Sequence, residues 1–286
     1  MKRSFGAAAL TGAALAAYSL YEPHRHKLVR RALPAVREVG RFSVLHLSDT
    51  HATRSSAETL RFLEGLPAAL GEIPDLIALT GDLIEDDGGI DPIVKALTGF
   101  EARHGKFYVL GSHDYYQSER PLYLKYFNPS KRTVAAPKAD TARLEEGLQL
   151  AGWEPLANSS IEVDTAEGTV FVAGVDDPYL ERHETGHIER KAGTRIAIGL
   201  MHAPDVVSEW ALNGFDLALA GHTHAGQVRF PGLGALVTNS SLPAALAGGA
   251  HLIGRTWLHV SPGLGTGRFA PIRFGARPEA TLITLT

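Results

Sequence analysis

The chain contains no cysteine among its 286 residues. Disulfides, thiolate metal sites and a cysteine nucleophile are therefore excluded, so any bound metal must be held by nitrogen and oxygen atoms. An excess of positive charge is also missing, because 28 Lys and Arg against 31 Asp and Glu leave a formal net charge of −3. A general nucleic-acid binder usually carries a strongly basic balance, so we expect no nucleic-acid partner.

The composition that remains is typical of a globular protein, with 44% hydrophobic and 21% charged residues. The anomaly is histidine, which occurs 13 times. No repeat, low-complexity tract or internal boundary interrupts residues 40–286. We therefore predict one globular domain over residues 41–286.

The N-terminal segment 1–22 differs from the rest of the chain. Lys2 and Arg3 precede an uncharged, alanine-rich run from Ser4 to Tyr21, just long enough for a membrane span of about 20 residues. Two interpretations follow: an uncleaved signal anchor, which we favour, or a secretory signal peptide cleaved near Ala14-Leu15-Ala16.

Residues 23–40 are predicted to form a basic linker. These residues carry more positive charge than the residues before the apolar run. With a single N-terminal anchor, the positive-inside rule then predicts a membrane-associated protein and favours the cytoplasmic face over export for its globular domain. The same charges could contact anionic lipid headgroups. The basic residues are Arg25, Lys27, Arg30, Arg31 and Arg37.

The strongest local pattern is an apolar run, Leu217–Ala220, followed by Gly221-His222-Thr223-His224. The run is typical of a buried strand, and glycine allows a sharp turn at its end. Residues two apart on an extended segment point to the same side, so His222 and His224 can face one crevice at the carboxyl end of the strand. This arrangement suggests a metal site.

Four other apolar runs end in residues that bind metals or move protons. They alternate with predicted helices at 56–70, 92–100 and 141–151, which favours a layered α/β sheet. Short β-like runs after residue 227 suggest a second, mostly antiparallel layer. The residues that follow the four runs are Asp49 with His51, Asp82, His113 and His202.

This ordered set resembles the calcineurin-like metallophosphoesterases over about residues 42–286. Three further sequences, Ala225-Gly226-Gln227, Gly263-Leu264-Gly265-Thr266 and Arg277-Pro278-Glu279, resemble the bacterial membrane-associated branch of that family. The resemblance implies a four-layer α/β/β/α sandwich, here with an N-terminal membrane-anchoring helix.

The resemblance also implies two divalent cations, of Mn, Fe, Zn or Co. One would be held by Asp49, His51, Asp82 and His224, and the other by Asp82, His202 and His222, with Asp82 bridging. His113 matches the family histidine that serves the leaving group, and Glu85 stands where the family often has the carboxylate that orients this histidine.

One position departs from the family pattern. An amide ligand of the second metal is expected in Gly-Asn-His-Asp or Gly-Asn-His-Glu, and this chain has Ser112 there, a shorter and poorer donor that we treat as a weak second-site ligand. The departure leaves open a non-catalytic metal-binding scaffold of the same fold. A separate alternative is a zinc peptidase, because His183-Glu184-Thr185-Gly186-His187 fits His-Glu-x-x-His.

The predicted function is hydrolysis of phosphate mono- or diesters, or of a pyrophosphate bond, by a hydroxide that two metals activate. The expected partners are a phosphorylated small molecule or a lipid-linked substrate, together with the membrane itself. The branch that this chain resembles includes enzymes that cleave the pyrophosphate of a UDP-diacylglucosamine. Such a substrate is therefore suggested here by the family resemblance alone.

Overall fold

The computed structural model describes residues 2–37, 39–118, 136–230, 232–235 and 237–286, with side chains from residue 12 onward. In these residues the helices are α1 (Lys2–Tyr21), α2 (Ala57–Leu70), α3 (Ile90–Leu97), α4 (Ser112–Tyr115), α5 (Thr141–Leu150) and α6 (Val207–Leu212). The strands are β1 (Lys27–Leu33), β2 (Phe42–Leu47), β3 (Leu76–Thr80), β4 (Lys106–Val109), β5 (Glu154–Pro155), β6 (Ser159–Thr165), β7 (Gly168–Gly174), β8 (Ile196–Leu200), β9 (Leu217–Ala220), β10 (Arg229–Phe230), β11 (Gly234–Ala235), β12 (Gly249–Ile253), β13 (Thr256–Val260) and β14 (Glu279–Leu285).

The first sheet has six strands in the order β1-β14-β2-β3-β4-β5. Strands β2, β3, β4 and β5 run parallel, whereas β14 pairs antiparallel with β2 and parallel with β1. All six residues of β2 and all five of β3 are buried, which is expected of parallel strands covered on both faces. The carboxyl ends of β2, β3 and β4 therefore meet at one edge.

The second sheet also has six strands, in the order β12-β13-β9-β8-β7-β6. Its four central strands run parallel, and β6 and β12 are antiparallel at the two edges. A separate two-stranded ribbon joins β10 to β11. The carboxyl ends of β8 and β9 lie at the edge that receives the ends of β2 and β3.

Three apolar clusters hold the layers together. Side chains such as Val44 of β2 and Ile198 of β8 meet between the two sheets. On the outer face of the first sheet, helices α2, α3 and α5 bury leucine and isoleucine side chains, including Leu63. On the outer face of the second sheet, Trp210 of α6 packs against Phe215. The order of layers is helix, sheet, sheet, helix, and the predicted mixed α/β fold is confirmed.

The C-terminal runs pair differently from the sequence expectation. The run 281–285 joins the first sheet within β14, and residues 257–260 of the run 257–261 enter the second sheet in β13, parallel to β9. The second sheet is therefore mixed rather than mostly antiparallel. The partners of short strands are selected by packing of distant segments, which local patterns do not encode.

The N-terminal helix α1 corrects another expectation. It is 20 residues long, but alanine, glycine, serine and threonine supply most of its sequence, and these residues carry little apolar surface. Among the described residues, no helix combines the length and the apolar character that a membrane span requires. The predicted membrane-spanning anchor is wrong, and the membrane location that rested on this anchor is corrected with it.

Residues 23–40 are not only a linker, because β1 lies within them and pairs with β14 along its whole length. The basic side chains are used in ion pairs at the surface of this sheet, with Lys27 Nζ 2.8 Å from Glu279 Oε2 and Arg30 Nη1 2.8 Å from Glu72 Oε1. Some of the basic residues that suggested a linker therefore belong to an edge strand, where charged side chains are common. The domain boundaries themselves remain predictions.

Candidate metal centre

Five of the predicted ligands lie in loops where the backbone turns sharply after a strand. Each has the left-handed conformation that non-glycine residues rarely adopt, namely Asp49 (φ 49°), His51 (φ 41°), Asp82 (φ 51°), His222 (φ 69°) and His224 (φ 49°). Such conformations persist only when surrounding structure imposes them, and they concentrate at functional sites. They turn the carboxylates and imidazoles of three loops, those after β2, β3 and β9, toward one crevice.

Glycines allow these loops to approach one another. Gly221 faces the side chains of Ser48 and Asp49, and a Cβ atom at this position would collide with both. Gly81 has φ 83°, and a Cβ atom there would lie 2.5 Å from the backbone nitrogen of Gly111. The glycine at the end of each strand is therefore a packing requirement of the site as well as a turn.

The first cluster consists of Asp49, His51 and His224, whose ligand atoms lie within 4.8 Å of one another. Nε2 of His51 is 3.1 Å from Nε2 of His224, which is 3.6 Å from Oδ1 of Asp49. Nδ1 of His51 donates to Glu85 Oε2 at 2.7 Å, so the lone pair of His51 is on Nε2, inside the cluster.

The second cluster consists of Asp82, His202 and His222. Nδ1 of His202 donates to the Thr80 carbonyl oxygen at 2.7 Å, and Nε2 of His222 donates to the Asn239 carbonyl oxygen at 3.0 Å. Nε2 of His202 is fully buried and has no hydrogen-bond partner among the described residues. A buried imidazole nitrogen held in this way can bind a cation in place of a proton, so the residues present suit a metal ion.

Asp82 lies between the two clusters. Its Oδ2 is 3.3 Å from His202 Nε2 and 3.7 Å from His51 Nε2, while its Oδ1 accepts a hydrogen bond from the His113 backbone nitrogen at 2.8 Å. This is the placement that a bridging ligand needs.

The neighbouring charges set the protonation states of the second cluster. Burial would raise the pKa of Asp82, but His202 and His113 hold it well below its usual range. Burial would lower the pKa of His202, but Asp82 raises it well above the ordinary value. Burial, reinforced by His202, lowers the pKa of His222 to about 4. Without a cation, the proton is therefore shared around Asp82 and His202, where a metal would replace it.

Glu85 and His113 are adjacent to the first cluster. Glu85 Oε2 makes its hydrogen bond with His51 and lies 3.5 Å from His113 Nδ1, which is 3.1 Å from the hydroxyl of Ser118. The sequence suggested that Glu85 orients His113, whereas its closest imidazole contact is His51. Burial alone would raise the pKa of Glu85, but the hydrogen bond from His51 lowers it to about 2.

Ser112 is buried at the first position of α4, next to His113. Its role as a ligand of the second ion remains a prediction. His183-Glu184-Thr185-Gly186-His187 is not helical, so it lacks the one-turn spacing that a zinc-peptidase motif needs. His187 Nε2 instead lies 3.1 Å from the Gly174 carbonyl oxygen.

Sequence reasoning missed Arg273, which is fully buried beside the first cluster. Its Nη2 lies 3.1 Å from His224 Nδ1, and its Nη1 donates to the carbonyl oxygens of Pro262 and Ala276 at 2.7 and 2.8 Å. The available signal was a single arginine inside the apolar run 271–274, because a buried charge is rarely placed without a partner.

The family profile of the calcineurin-like phosphoesterases matches residues 42–226, more than half of the chain. The chain belongs to this family. It is accordingly a metallophosphoesterase, a hydrolase of phosphoric ester bonds, and the prediction of an enzyme is confirmed. Strands β10 to β14 complete the domain beyond the matched region.

Three relatives are similar along most of their length. The uncharacterized metallophosphoesterase YkuE of Bacillus subtilis (strain 168) is 29% identical, with 100% of this chain and 96% of the relative covered. The uncharacterized metallophosphoesterase YkoQ of the same organism is 28% identical over 87% of this chain and 84% of the relative. The phosphodiesterase YaeI of Escherichia coli (strain K12) is 24% identical over 92% and 90%.

Proposed function

We propose that this metallophosphoesterase hydrolyses phosphate mono- or diesters, or a pyrophosphate bond, with two divalent cations. The first cluster would hold one ion and the second cluster the other, and the observation that carries the proposal is the position of Asp82 between them. When bound, two such ions clamp a phosphoryl group and lower the pKa of a water molecule until hydroxide forms near neutrality. Imidazole and carboxylate ligands suit Mn, Fe, Zn or Co.

The remaining side chains orient the reacting groups. Glu85 fixes the ring of His51 through Nδ1, and the Thr80 and Asn239 carbonyl oxygens fix the rings of His202 and His222. His113 Nε2 lies 4.0 Å from Asp82 Oδ2, at the edge of the second cluster. From there we propose that it protonates the leaving oxygen.

The substrate is proposed to be a phosphorylated small molecule. The Escherichia coli relative is named a phosphodiesterase, which is consistent with diester substrates. A lipid-linked substrate was suggested by the branch resemblance, and the further support that a membrane anchor would have given it is lost with the anchor. Membership of the membrane-associated branch remains a prediction.

The test compares metal content and hydrolysis in the purified full chain and two variants. Asp82→Asn should lose most bound Mn²⁺ and most release of p-nitrophenol from bis(p-nitrophenyl) phosphate, because one carboxylate serves both clusters. His187→Ala is the matched control from the rejected motif, and it should keep both. Retention of metal by Asp82→Asn together with its loss from His187→Ala would reverse the assignment.

A further inference from the structure

A cavity of about 650 Å³ opens directly beside the first cluster. His51 and Glu85 form part of its wall, so the cavity is continuous with the candidate metal centre. Its volume is within the range of about 300–1,000 Å³ that is common for small-molecule sites. A substrate whose phosphoryl group lies at the metal centre can therefore extend into it.

Two arginines supply positive charge to this cavity. Arg54 makes no hydrogen bond or ion pair with any residue that the structure describes. The side chain of Arg268 is 62% exposed, and its only ion pair among the described residues is a long one of 3.6 Å to Asp86 Oδ2. The hydroxyl of Thr266 lies on the same wall.

The acidic groups of the cavity are already engaged. Glu85 accepts hydrogen bonds from His51 Nδ1 at 2.7 Å and from the Arg268 backbone nitrogen at 2.8 Å. Asp86 Oδ1 accepts from the Gly88 backbone nitrogen at 2.9 Å. Carboxylates that are satisfied in this way compete less for the guanidinium groups, and Arg54 in particular lacks an internal partner.

We propose that this cavity binds a second anionic group of the substrate, a phosphate distant from the scissile ester, through Arg54 and Arg268. The inference rests on the proposed function, since it places the scissile phosphate at the metal centre. The preferred substrates are then phosphoesters that carry an additional phosphate.

The experiment uses two esters with the same leaving group. Thymidine 5′-(p-nitrophenyl phosphate) lacks a distal phosphate, and its 3′-phosphorylated derivative has one. With Mn²⁺ present, kcat/KM should favour the phosphorylated ester, and Arg54→Ala or Arg268→Ala should each reduce the ratio about tenfold, as expected for loss of a charge-assisted contact. Arg61→Ala, an exposed arginine of α2 outside the cavity, should leave the ratio unchanged.

The outcomes separate the two proposals. Hydrolysis of neither ester would contradict the proposed function itself. Hydrolysis of both with equal kcat/KM, or an undiminished ratio in both arginine variants, would overturn the second-phosphate site and leave the phosphoesterase assignment standing.

A second inference rests on an independent feature, a histidine pair buried between the two sheets. His46 of β2 and His259 of β13 have no exposed surface, and their Nδ1 atoms are 2.8 Å apart. His46 Nε2 lies 2.8 Å from the hydroxyl of Thr80, which donates to the hydroxyl of Ser48 at 2.7 Å. Ser48 in turn donates to Asp49 Oδ2 at 2.5 Å.

The carboxylate at the end of this chain determines the direction of every hydrogen bond. Asp49 Oδ2 accepts from the Ser48 hydroxyl, and the Ser48 oxygen accepts from the Thr80 hydroxyl. Nε2 of His46 must then carry the proton that Thr80 accepts, which leaves Nδ1 of His46 to accept from Nδ1 of His259. Nε2 of His259 is left as a lone pair, and it has no partner among the described residues.

We propose that His46 and His259 are positioning residues for Asp49, which they orient through Thr80 and Ser48. Buried chains of this kind hold one arrangement because each reversal would leave a buried donor or acceptor unpaired. The chain thus fixes which oxygen of Asp49 faces the Ser48 hydroxyl, and Oδ1 remains toward His224.

Two readouts test this role. In ¹⁵N spectra of the metal-free full chain, His46 should be the Nε2–H tautomer and His259 the Nδ1–H tautomer. Thr80→Val should raise the Kd of the first Mn²⁺ ion about tenfold, within the range found for residues that support metal ligands. Thr80→Ser restores the hydroxyl and should bind Mn²⁺ like the parent.

The control is Val44→Ala, which weakens the same inter-sheet core at a side chain that makes none of these hydrogen bonds. It should leave Mn²⁺ affinity and both tautomers unchanged. An Nδ1–H tautomer at His46, or unaltered Mn²⁺ affinity in a folded Thr80→Val variant, would overturn the inference. If Thr80→Val does not fold, Ser48→Ala interrupts the chain one step later and tests the same affinity.

Discussion

The buried histidine pair makes the protein sensitive to mild acid, and His46→Gln isolates this effect. Burial lowers the pKa of His46 to about 3, whereas an unfolded chain returns it to its ordinary value of about 6.5. Below about pH 6.5 this histidine binds a proton in the unfolded state but not in the folded state. The free energy of unfolding therefore falls as pH decreases.

The expected magnitude follows from this linkage. A histidine with those two pKa values makes no pH-dependent contribution above about pH 7.5 and costs about 2 kcal/mol of unfolding free energy at about pH 5.0. His46→Gln removes that cost. The variant should be about 1–3 kcal/mol less stable than the parent near neutrality, because hydrogen bonds to Thr80 and His259 are weakened, and the deficit should shrink by about 2 kcal/mol toward pH 5.0.

The assay is urea unfolding followed by fluorescence of the three tryptophans, in chelator, at several values between about pH 7.5 and 5.0. Chelation removes the linkage between protons and metal binding at the other histidines. Val44→Ala is the control, because it lowers stability without removing a proton-binding group, and its curve should run parallel to that of the parent. A His46→Gln curve that also runs parallel would refute the reasoning.

Three further predictions concern other parts of the chain. His113→Ala should retain bound Mn²⁺ but slow turnover by about 10²–10⁴-fold for alkyl esters, and less for p-nitrophenyl esters, whose leaving group needs no proton; equal slowing of both would argue against a leaving-group role. Ser112→Asn should lower the Mn²⁺ concentration needed for half-maximal activity, since an amide replaces a poor donor at the second ion, and an unchanged titration curve would show that another group already serves there. Asp75, whose pKa is lowered by hydrogen bonds from Ser43 and Arg103 against the opposing effect of burial, stabilises the fold above about pH 4 and loses this effect as pH falls. Asp75→Asn should therefore be about 1–3 kcal/mol less stable near neutrality, with the difference closing in acid when urea unfolding is repeated there.

The candidate site could largely be predicted because its residues obey a local rule. Asp49 with His51, Asp82, and His222 with His224 each follow a buried apolar strand, and parallel strands bring their carboxyl ends to one edge. The left-handed conformation of these residues was not predictable, since packing of the neighbouring loops imposes it.

Other features depend on partners far away in sequence. His46 and His259 are separated by 213 residues, and the local sequence around each predicts only a strand, with no sign of the other histidine. Arg273 is likewise joined to His224 across 49 residues. The length of α1 was predicted well, but its capacity to span a membrane was overestimated because alanine was counted as if it were strongly apolar.

The position of β14 has a consequence for synthesis of the chain. The last strand lies between the first two, β1 and β2, so neither of these can complete its pairing in the sheet until residues 279–285 have been made. During translation the edge of β2 that will receive β14 has open hydrogen-bonding groups, and such edges favour intermolecular pairing. The pairing of β1 with β14 joins segments that are almost the full chain apart, and contacts between such distant segments form slowly in folding. Nascent chains that stall before the final strand should therefore be the species most prone to aggregate.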